Sequence, residues 1–435
     1  MKKKVLLFFL NSNVRRDYLD LFPFKELSSH EFVEIGFYQD GSFDKQINFR
    51  VSNFTRKIHA FLHKCQMLNR RYSSVMYFAR VRGYYPSRLD TRHINVGKFI
   101  KASFLEHLLV ASMSSVIGIK LLEKIVILCF IFEKFISRHL PKNIFIVMLP
   151  YTGGISSEWD FLVWYYKSLK IKTLAIQENW DNLSSKQFLF QHPSNFATWA
   201  RQSSSHLRTI QNFKGTINEI GCIRVQGFYE NRHQLNKKPS APEKYSEHDF
   251  LSILVIGIGD PLSDLKLLTS LSGYIEEKSD KLQMKTRIIY RVHPFHHISK
   301  ETLHLIAELP FVEVYYKSSS DANSMRIQQV MDSDVVISLF STVILESSIL
   351  NKFCIIPTYV FQEIGYDSTK LVDDFNHFAG MSLLNGLSVA NSLDELVTLL
   401  NSHYAKKTII DNDQGLLGWF CEDKDSKDEI ISLLQ

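Results

Sequence analysis

Short apolar runs bounded by polar turns recur along this chain, and helical spacing fills the intervals between them. Val5–Leu10, after Lys2-Lys3-Lys4, stops at Asn11-Ser12-Asn13. It is too short for a secretory leader and no small-residue cleavage site follows, so it reads as a buried first strand. Ile144–Leu149, Lys172–Ile176, Phe196–Ala200 and Ile223–Gln226 are predicted as further strands, with the loop Tyr151-Thr152-Gly153-Gly154 and a helical pattern reaching Leu169 between the first two. The polar stretch Asn231–Asp249, containing Lys237-Lys238-Pro239-Ser240-Ala241-Pro242, reads as a linker. Beyond it the alternation restarts with Leu251–Ile256, Arg287–Val292, Val312–Tyr316, Asp334–Ser338 and Phe353–Ile356, and Ser392–Asn401 closes as a helix with Asp394 and Glu395 in its first turn.

Strands alternating with helices predict parallel βαβ units. The expected architecture is α/β, with two Rossmann-like, doubly wound domains: 1–230, a linker at 231–249, and 250–435. The default site is the cleft between them. A chain of 435 residues, 45% hydrophobic and 22% charged, has the core material for this. Five cysteines (Cys65, Cys129, Cys222, Cys354, Cys421) never pair as CxxC, which argues against a disulfide framework or a cysteine zinc site and for a reducing compartment. The most apolar region, Leu108–Ile136, is interrupted by Lys120, Glu123, Lys124, Glu133 and Lys134, and its uncharged stretch is too short for about 30 Å of hydrocarbon.

Charge changes the picture of the first domain. Residues 1–140 carry 23 basic and 11 acidic side chains in a chain whose net charge is +6, so the remainder is net acidic. Between Lys45 and Lys101 stand 13 basic residues and one acid, Asp90. A basic, helical insertion at 45–140 facing an acidic partner is the expectation.

No P-loop, HExxH, GxSxG or EF-hand pattern is present. Gly257-Ile258-Gly259-Asp260 follows a strand, but Leu262 stands where a dinucleotide fingerprint needs its third glycine; Gly259 is better read as a turn letting backbone approach a phosphate or sugar. Asp332-Ser333-Asp334 spells DxD, yet it stands directly before a strand and is expected to start it rather than to bind metal. Three segments are sharper. Tyr290-Arg291-Val292-His293-Pro294 ends a strand where parallel sheets bind ligands, with Arg291 as a phosphate fork and His293 as a donor. Ser338 to Glu346 runs from a strand end into a helix beginning near Ser341 or Thr342, a ready anion site, with Glu346 placed to accept from a ribose or base; the plainer reading is an N-cap and a solvated glutamate. Ile176-Gln177-Glu178-Asn179-Trp180-Asp181-Asn182-Leu183-Ser184-Ser185-Lys186 gathers carboxylates, amides, a tryptophan and a lysine in one loop. It could hold a general base beside a sugar stacked on Trp180, or be simply a capped turn.

Together these segments resemble the GT-B glycosyltransferases. His293-Pro294 followed 48 residues later by Ser341-Thr342 is similar to the paired HP and S-S/T motifs of bacterial sialyltransferases and of related capsule and lipopolysaccharide transferases, including Kdo-transferase-like enzymes. The resemblance implies that His293, Ser341 and Thr342 contact the nucleotide and its phosphate. Asp334–Pro357, ending Leu350-Asn351-Lys352-Phe353-Cys354-Ile355-Ile356-Pro357, resembles the strand, ST, Glu-bearing helix and K-P segment of GT-B donor domains. Trp180-Asp181-Asn182-Leu183-Ser184-Ser185-Lys186 resembles an element of bacterial surface-polysaccharide proteins. The match covers roughly residues 143–402, and the sialyltransferase acidic motif is missing.

The expected activity is metal-independent, inverting sugar transfer from an activated, nucleotide-linked donor to a growing glycan or lipid-linked glycan. Asp181 or Glu178 is the expected base, with Glu158 and Asp160 in reserve. Arg291, His293, Ser341, Thr342, Glu346 and Gly259 are expected on the donor side; Trp180, Asn182 and Lys186 are expected on the acceptor side. No cofactor and no metal are expected. The setting is cytoplasmic and peripheral, on the anionic inner face of the membrane. Two readings compete. One is a nucleotide-sugar epimerase of the same fold. The other is a single-stranded nucleic-acid binder, suggested by Arg70-Arg71-Tyr72 and Tyr77-Phe78-Ala79-Arg80-Val81-Arg82-Gly83-Tyr84-Tyr85. The modest overall charge and the absence of RNP or KH motifs speak against a nucleic-acid partner.

Overall fold

The computed structural model describes the chain except for residues 1, 11–13, 16–17, 20–21, 23, 25–26, 37–44, 69–103, 138, 153–155, 185–187, 238–249, 258–260, 279–284, 293–297, 316–321, 339–340, 360–375, 379, 382–383, 407–409, 411–415, 417–418 and 420–423. Two compact units emerge. The first comprises Met1–Arg224, Asp374–His377 and Leu417–Gln435; the second comprises Val225–Asp373 and Phe378–Leu416.

The first unit is built on β1 (Lys3–Phe8), β2 (His30–Gly36), β3 (Lys45–Asn48), α1 (Asn53–Leu68), α2 (Phe104–Met113), α3 (Val116–Ile136), β4 (Ile146–Tyr151), α4 (Ser157–Ser168), β5 (Lys172–Gln177), β6 (Asn195–Thr198), α5 (Arg201–Thr209) and β7 (Thr216–Glu219). Its strands form one parallel sheet in the order β3-β2-β1-β4-β5-β6-β7. A parallel sheet buried on both faces needs unbroken apolar runs, and β1 shows the alternation beneath that run. Leu6 and Phe8 join the core with Val147, Leu149 and Phe161, while Val5, Leu7 and Phe9 join the opposite core with Ile146 and Met148.

The second unit contains α6 (Gln226–Lys237), β8 (Phe250–Ile256), α7 (Pro261–Lys278), β9 (Lys285–Arg291), α8 (Lys300–Ala307), β10 (Val312–Tyr315), α9 (Ala322–Met331), β11 (Val335–Ser338), α10 (Thr342–Ile349), β12 (Phe353–Pro357), β13 (Leu387–Ala390) and α11 (Leu393–Lys406). Its parallel sheet runs β10-β9-β8-β11-β12-β13. The chain then re-enters the first unit as α12 (Ser426–Leu434), where Ile430 and Leu434 are fully buried with Val5, Leu7 and Phe32.

Several expectations need correction. Ile223–Val225 is a 3-10 turn and Gln226 already opens α6; the edge strand is β7 instead, and Gly221, at φ 77°, turns the chain out of the sheet first. The proposed linker is helical as far as Lys237, and 238–249 lie outside the described residues. The segment 417–435, read as part of the second domain, belongs to the first unit. Of the basic insertion, 45–48 form an edge strand and the described remainder is helical; the Arg70–Tyr85 cluster lies outside the described residues. No helix among the described residues is long and apolar enough to cross a membrane.

Candidate active site

At the carboxyl edge of the second sheet β8, β9 and β11 end at Ile256, Arg291 and Ser338. The Gly257 amide donates to the Arg291 carbonyl at 2.9 Å, tying two of the loop starts together. Ser341 is the N-cap of α10: its backbone is extended, and its Oγ accepts from the Val343 amide at 3.3 Å. That cap uses a lone pair of the hydroxyl and leaves its hydrogen to serve a ligand, so capping and anion binding are compatible. Ser341 and Thr342 are both half-buried.

At the end of β9 the half-buried Arg291 donates through Nη1 to Gln329 Oε1 at 2.5 Å. Burial, and then the neighbouring Arg326, lower the pKa of Arg291, with Glu346 opposing. Glu346, expected to face a ribose or base, is instead buried 3.4 Å from Arg326 Nε. Arg326 lies 5.6 Å over the Phe228 ring of α6. Arg326 thus pairs with Glu346 of α10, and Arg291 feels the charge of both. Arg326 and Gln329 were missed in the sequence; their only signal is that residues three apart share a face of α9. His293 and Gly259 lie outside the described residues.

Asp334 stands immediately before β11, which starts at Val335. Its Oδ2 accepts from the Ser252 amide at 2.8 Å, and Asp332 Oδ1 accepts from Gln328 Nε2 at 2.7 Å, both at the amino end of β11. Lys352 closes that end, donating to the Met331 and Ser333 carbonyls at 2.7 and 2.8 Å.

In the first unit β4 and β5 end at Tyr151 and Gln177, and the 178–184 loop folds over that edge. The Gln177 side chain donates to the Asn179 and Trp180 carbonyls at 2.9 and 3.4 Å and accepts from the Trp199 amide at 3.1 Å. Asn182, read as an acceptor-side residue, is fully buried and donates to the Tyr151 carbonyl at 2.6 Å. Trp180 is not an exposed stacking platform either: it is 4% exposed, its ring edge-on to His377 at 5.1 Å between centroids. His377 Nδ1 in turn lies 3.2 Å from Ser184 Oγ. Lys186 lies outside the described residues.

The four candidate carboxylates differ sharply. Glu178 is buried and accepts from Tyr18 Oη at 2.7 Å; burial, and then Glu178 itself, push the Tyr18 pKa well above its ordinary value. Glu158 is buried in the first turn of α4, its Oε2 accepting from Ser157 Oγ at 3.2 Å. Asp160 is fully buried, with Oδ2 2.7 Å from His59 Nε2 and Oδ1 accepting from the Gln191 amide at 3.0 Å. Burial pushes the Asp160 pKa up, but bonds from His59 and His63 outweigh it and the net shift is downward. A buried carboxylate so engaged is poorly placed to take a substrate proton, whereas Asp181 is half-buried on the 178–184 loop. Asp160 and Asp181 together also reinforce the effect of burial in raising the Tyr151 pKa, so the two carboxylates flank the end of β4.

No protein-family model matches the chain, and no curated protein matches it by sequence. Among solved structures it is similar to a UDP-N-acetylglucosamine 2-epimerase from Listeria monocytogenes, at 10% identity and TM-score 0.51, covering 100% of this chain and 96% of that one. Acinetobacter baumannii MurG matches at 9% identity and TM-score 0.48 over 100% and 99%. The wall teichoic acid polymerase TagF matches at 13% identity and TM-score 0.37 over 66% and 87%. The likeness at this identity is one of fold, and the fold is two Rossmann-like parallel sheets of the GT-B kind.

Proposed function

We propose that the chain is an inverting glycosyltransferase that takes its sugar from a nucleotide-linked donor. What supports this is that Arg291 ends β9 while Arg326 pairs with Glu346 of α10, the helix that Ser341 caps. A departing phosphate gains from fixed N–H dipoles and guanidinium charge already in place, with no reorganisation during the reaction. In the first unit Asp181 is the base that deprotonates the acceptor hydroxyl, and Glu178, Asn182 and Trp180 hold its loop in shape. The test is Asp181→Asn, which preserves shape and removes basicity. Donor affinity is expected to hold while turnover falls about 10²-fold or more. Glu178→Gln is the companion variant; if it abolishes turnover while Asp181→Asn does not, the base is Glu178.

A nucleotide-sugar epimerase is the second reading, favoured by the Listeria protein in the comparison. The two separate cleanly in D₂O without acceptor. Deuterium entering the sugar ring of the nucleotide sugar marks an epimerase, whereas a transferase leaves the sugar unlabelled and consumes it only when an acceptor is added.

The acceptor side extends to a membrane surface. On α3, Ile117, Leu121, Leu128, Phe132 and Phe135 are exposed along one stripe, Ile117 at 82% and Phe135 at 67%. Lys120 and Lys124 are exposed beside it. An apolar stripe flanked by cations suits the interface of an anionic leaflet carrying a lipid-linked glycan.

A further inference from the structure

His59 and His63 lie four residues apart on one face of α1, and both turn their Nε2 atoms toward Oδ2 of Asp160 on α4. The three atoms are separated by 2.7 Å (His59–Asp160), 3.3 Å (His59–His63) and 3.7 Å (His63–Asp160). All three side chains are buried, and the Phe130 and Phe190 rings each lie 6.4 Å from the His59 ring.

The two imidazoles can both direct an Nε2 hydrogen at Asp160 Oδ2, but the His63 contact is long at 3.7 Å, so two rings crowd one carboxylate oxygen. Three ligand atoms this close together in a buried site form an arrangement that a single cation would hold. Metal–ligand bonds of about 2.0–2.2 Å in a tetrahedron set ligand atoms about 3.3–3.5 Å apart, and the three separations bracket that value. The outer oxygen, Oδ1, is held by the Gln191 amide at 3.0 Å, the kind of support that aims a ligating carboxylate.

We propose that His59, His63 and Asp160 hold one divalent ion of the zinc class, which pins α1 to α4 within the first unit. Two imidazoles and a carboxylate form a borderline-soft set suited to Zn²⁺ rather than to Mg²⁺. A bound water completes the tetrahedron. The role is structural and separate from sugar transfer, so it stands whether the chain proves a transferase or an epimerase.

The test uses the full chain without a histidine tag, loaded with Zn²⁺, passed through a desalting column and assayed by elemental analysis. About one zinc per chain is expected, with Co²⁺ in its place giving the visible bands of a tetrahedral centre. Zn²⁺ should raise the melting temperature and Mg²⁺ should not. In His63→Gln and Asp160→Asn, retention should fall at least tenfold and the zinc-dependent shift should vanish. Folded wild-type chain that retains no zinc overturns the proposal. So does an undiminished equivalent of zinc in both variants. If the variants fail to fold, the stoichiometry and cobalt spectrum of the wild type decide.

Discussion

At the scale of single residues, the proposed donor corner makes separable claims. Arg291→Ala removes a guanidinium and the donor to Gln329 Oε1, so nucleotide affinity should weaken about tenfold to a hundredfold, the worth of one hydrogen bond to a charged phosphate, and stability should fall by about 1–3 kcal/mol for the buried amide left without its donor. Calorimetric titration with nucleotides alongside a thermal scan checks both. Arg326→Met should act differently. It leaves Glu346, 1% exposed, without its ion-pair partner, and removing one member of a buried pair costs about 3–5 kcal/mol. Adding Glu346→Gln should recover most of that stability and none of the nucleotide affinity. Cys354 offers a third check: burial pushes its thiol up to about 12, so in folded protein at pH 8 it should resist iodoacetamide and react only on unfolding. The placement of Arg291 at the end of β9 and of Ser341 shortly after β11 was legible in the apolar pattern. Arg326, Gln329, His59 and His63 were not, because their meaning depends on which helices pack together, and nothing in the spacing of α1 announces Asp160 about 100 positions away.

At the scale of elements, the apolar runs located β1, β4, β5, β6 and β8 to β12 and passed over β2, β3, β7 and β13. β1, β4, β11 and β12 are apolar runs of the kind a sheet covered on both faces requires. β3 and β7, each at a sheet edge, carry polar residues on partly exposed positions, whereas β2, inside the sheet and mostly buried, has its apolar run broken by Glu34. Ile223–Val225 was mistaken for a strand because its apolar residues pack into the core from a 3-10 turn. The Glu395 amide donates to Ser392 Oγ at 3.1 Å while the Asn391 amide donates to Glu395 Oε2 at 2.7 Å, and a side-chain cap of this kind is worth about 1 kcal/mol. Asp425 caps α12 in the same way, accepting from the Lys427 and Asp428 amides at 2.8 and 3.4 Å. Asp425→Ala should therefore lower the stability of the first unit by about 1 kcal/mol, read by urea denaturation with a probe on Trp159 or Trp199 in its core.

At the scale of the whole molecule, the basic bias of residues 1–140 and the apolar stripe of α3 fall in the same unit. Flotation with liposomes separates the two contributions. Binding to anionic vesicles at low salt should exceed binding to neutral ones and fade as salt rises, at about 1 kcal/mol for each cation near the surface. Ile117→Glu with Phe132→Glu should abolish flotation without altering nucleotide affinity. A stripe that instead pairs with a second copy of the chain would show as a dimer in sedimentation and as no lipid binding.

The return of α12 to the first unit has a consequence for synthesis on the ribosome. Ile430 and Leu434 complete a core begun by Val5 and Leu7, yet the second sheet is translated in between. At about 5–20 residues per second, the first unit waits roughly 10–40 s after β7 emerges before its last helix can dock. Throughout that interval Phe22, Phe24 and Phe32, which share the core with α12, face an incomplete neighbour. The nascent chain is a natural client for chaperones, and slowing translation beyond Glu219 should increase its capture by them.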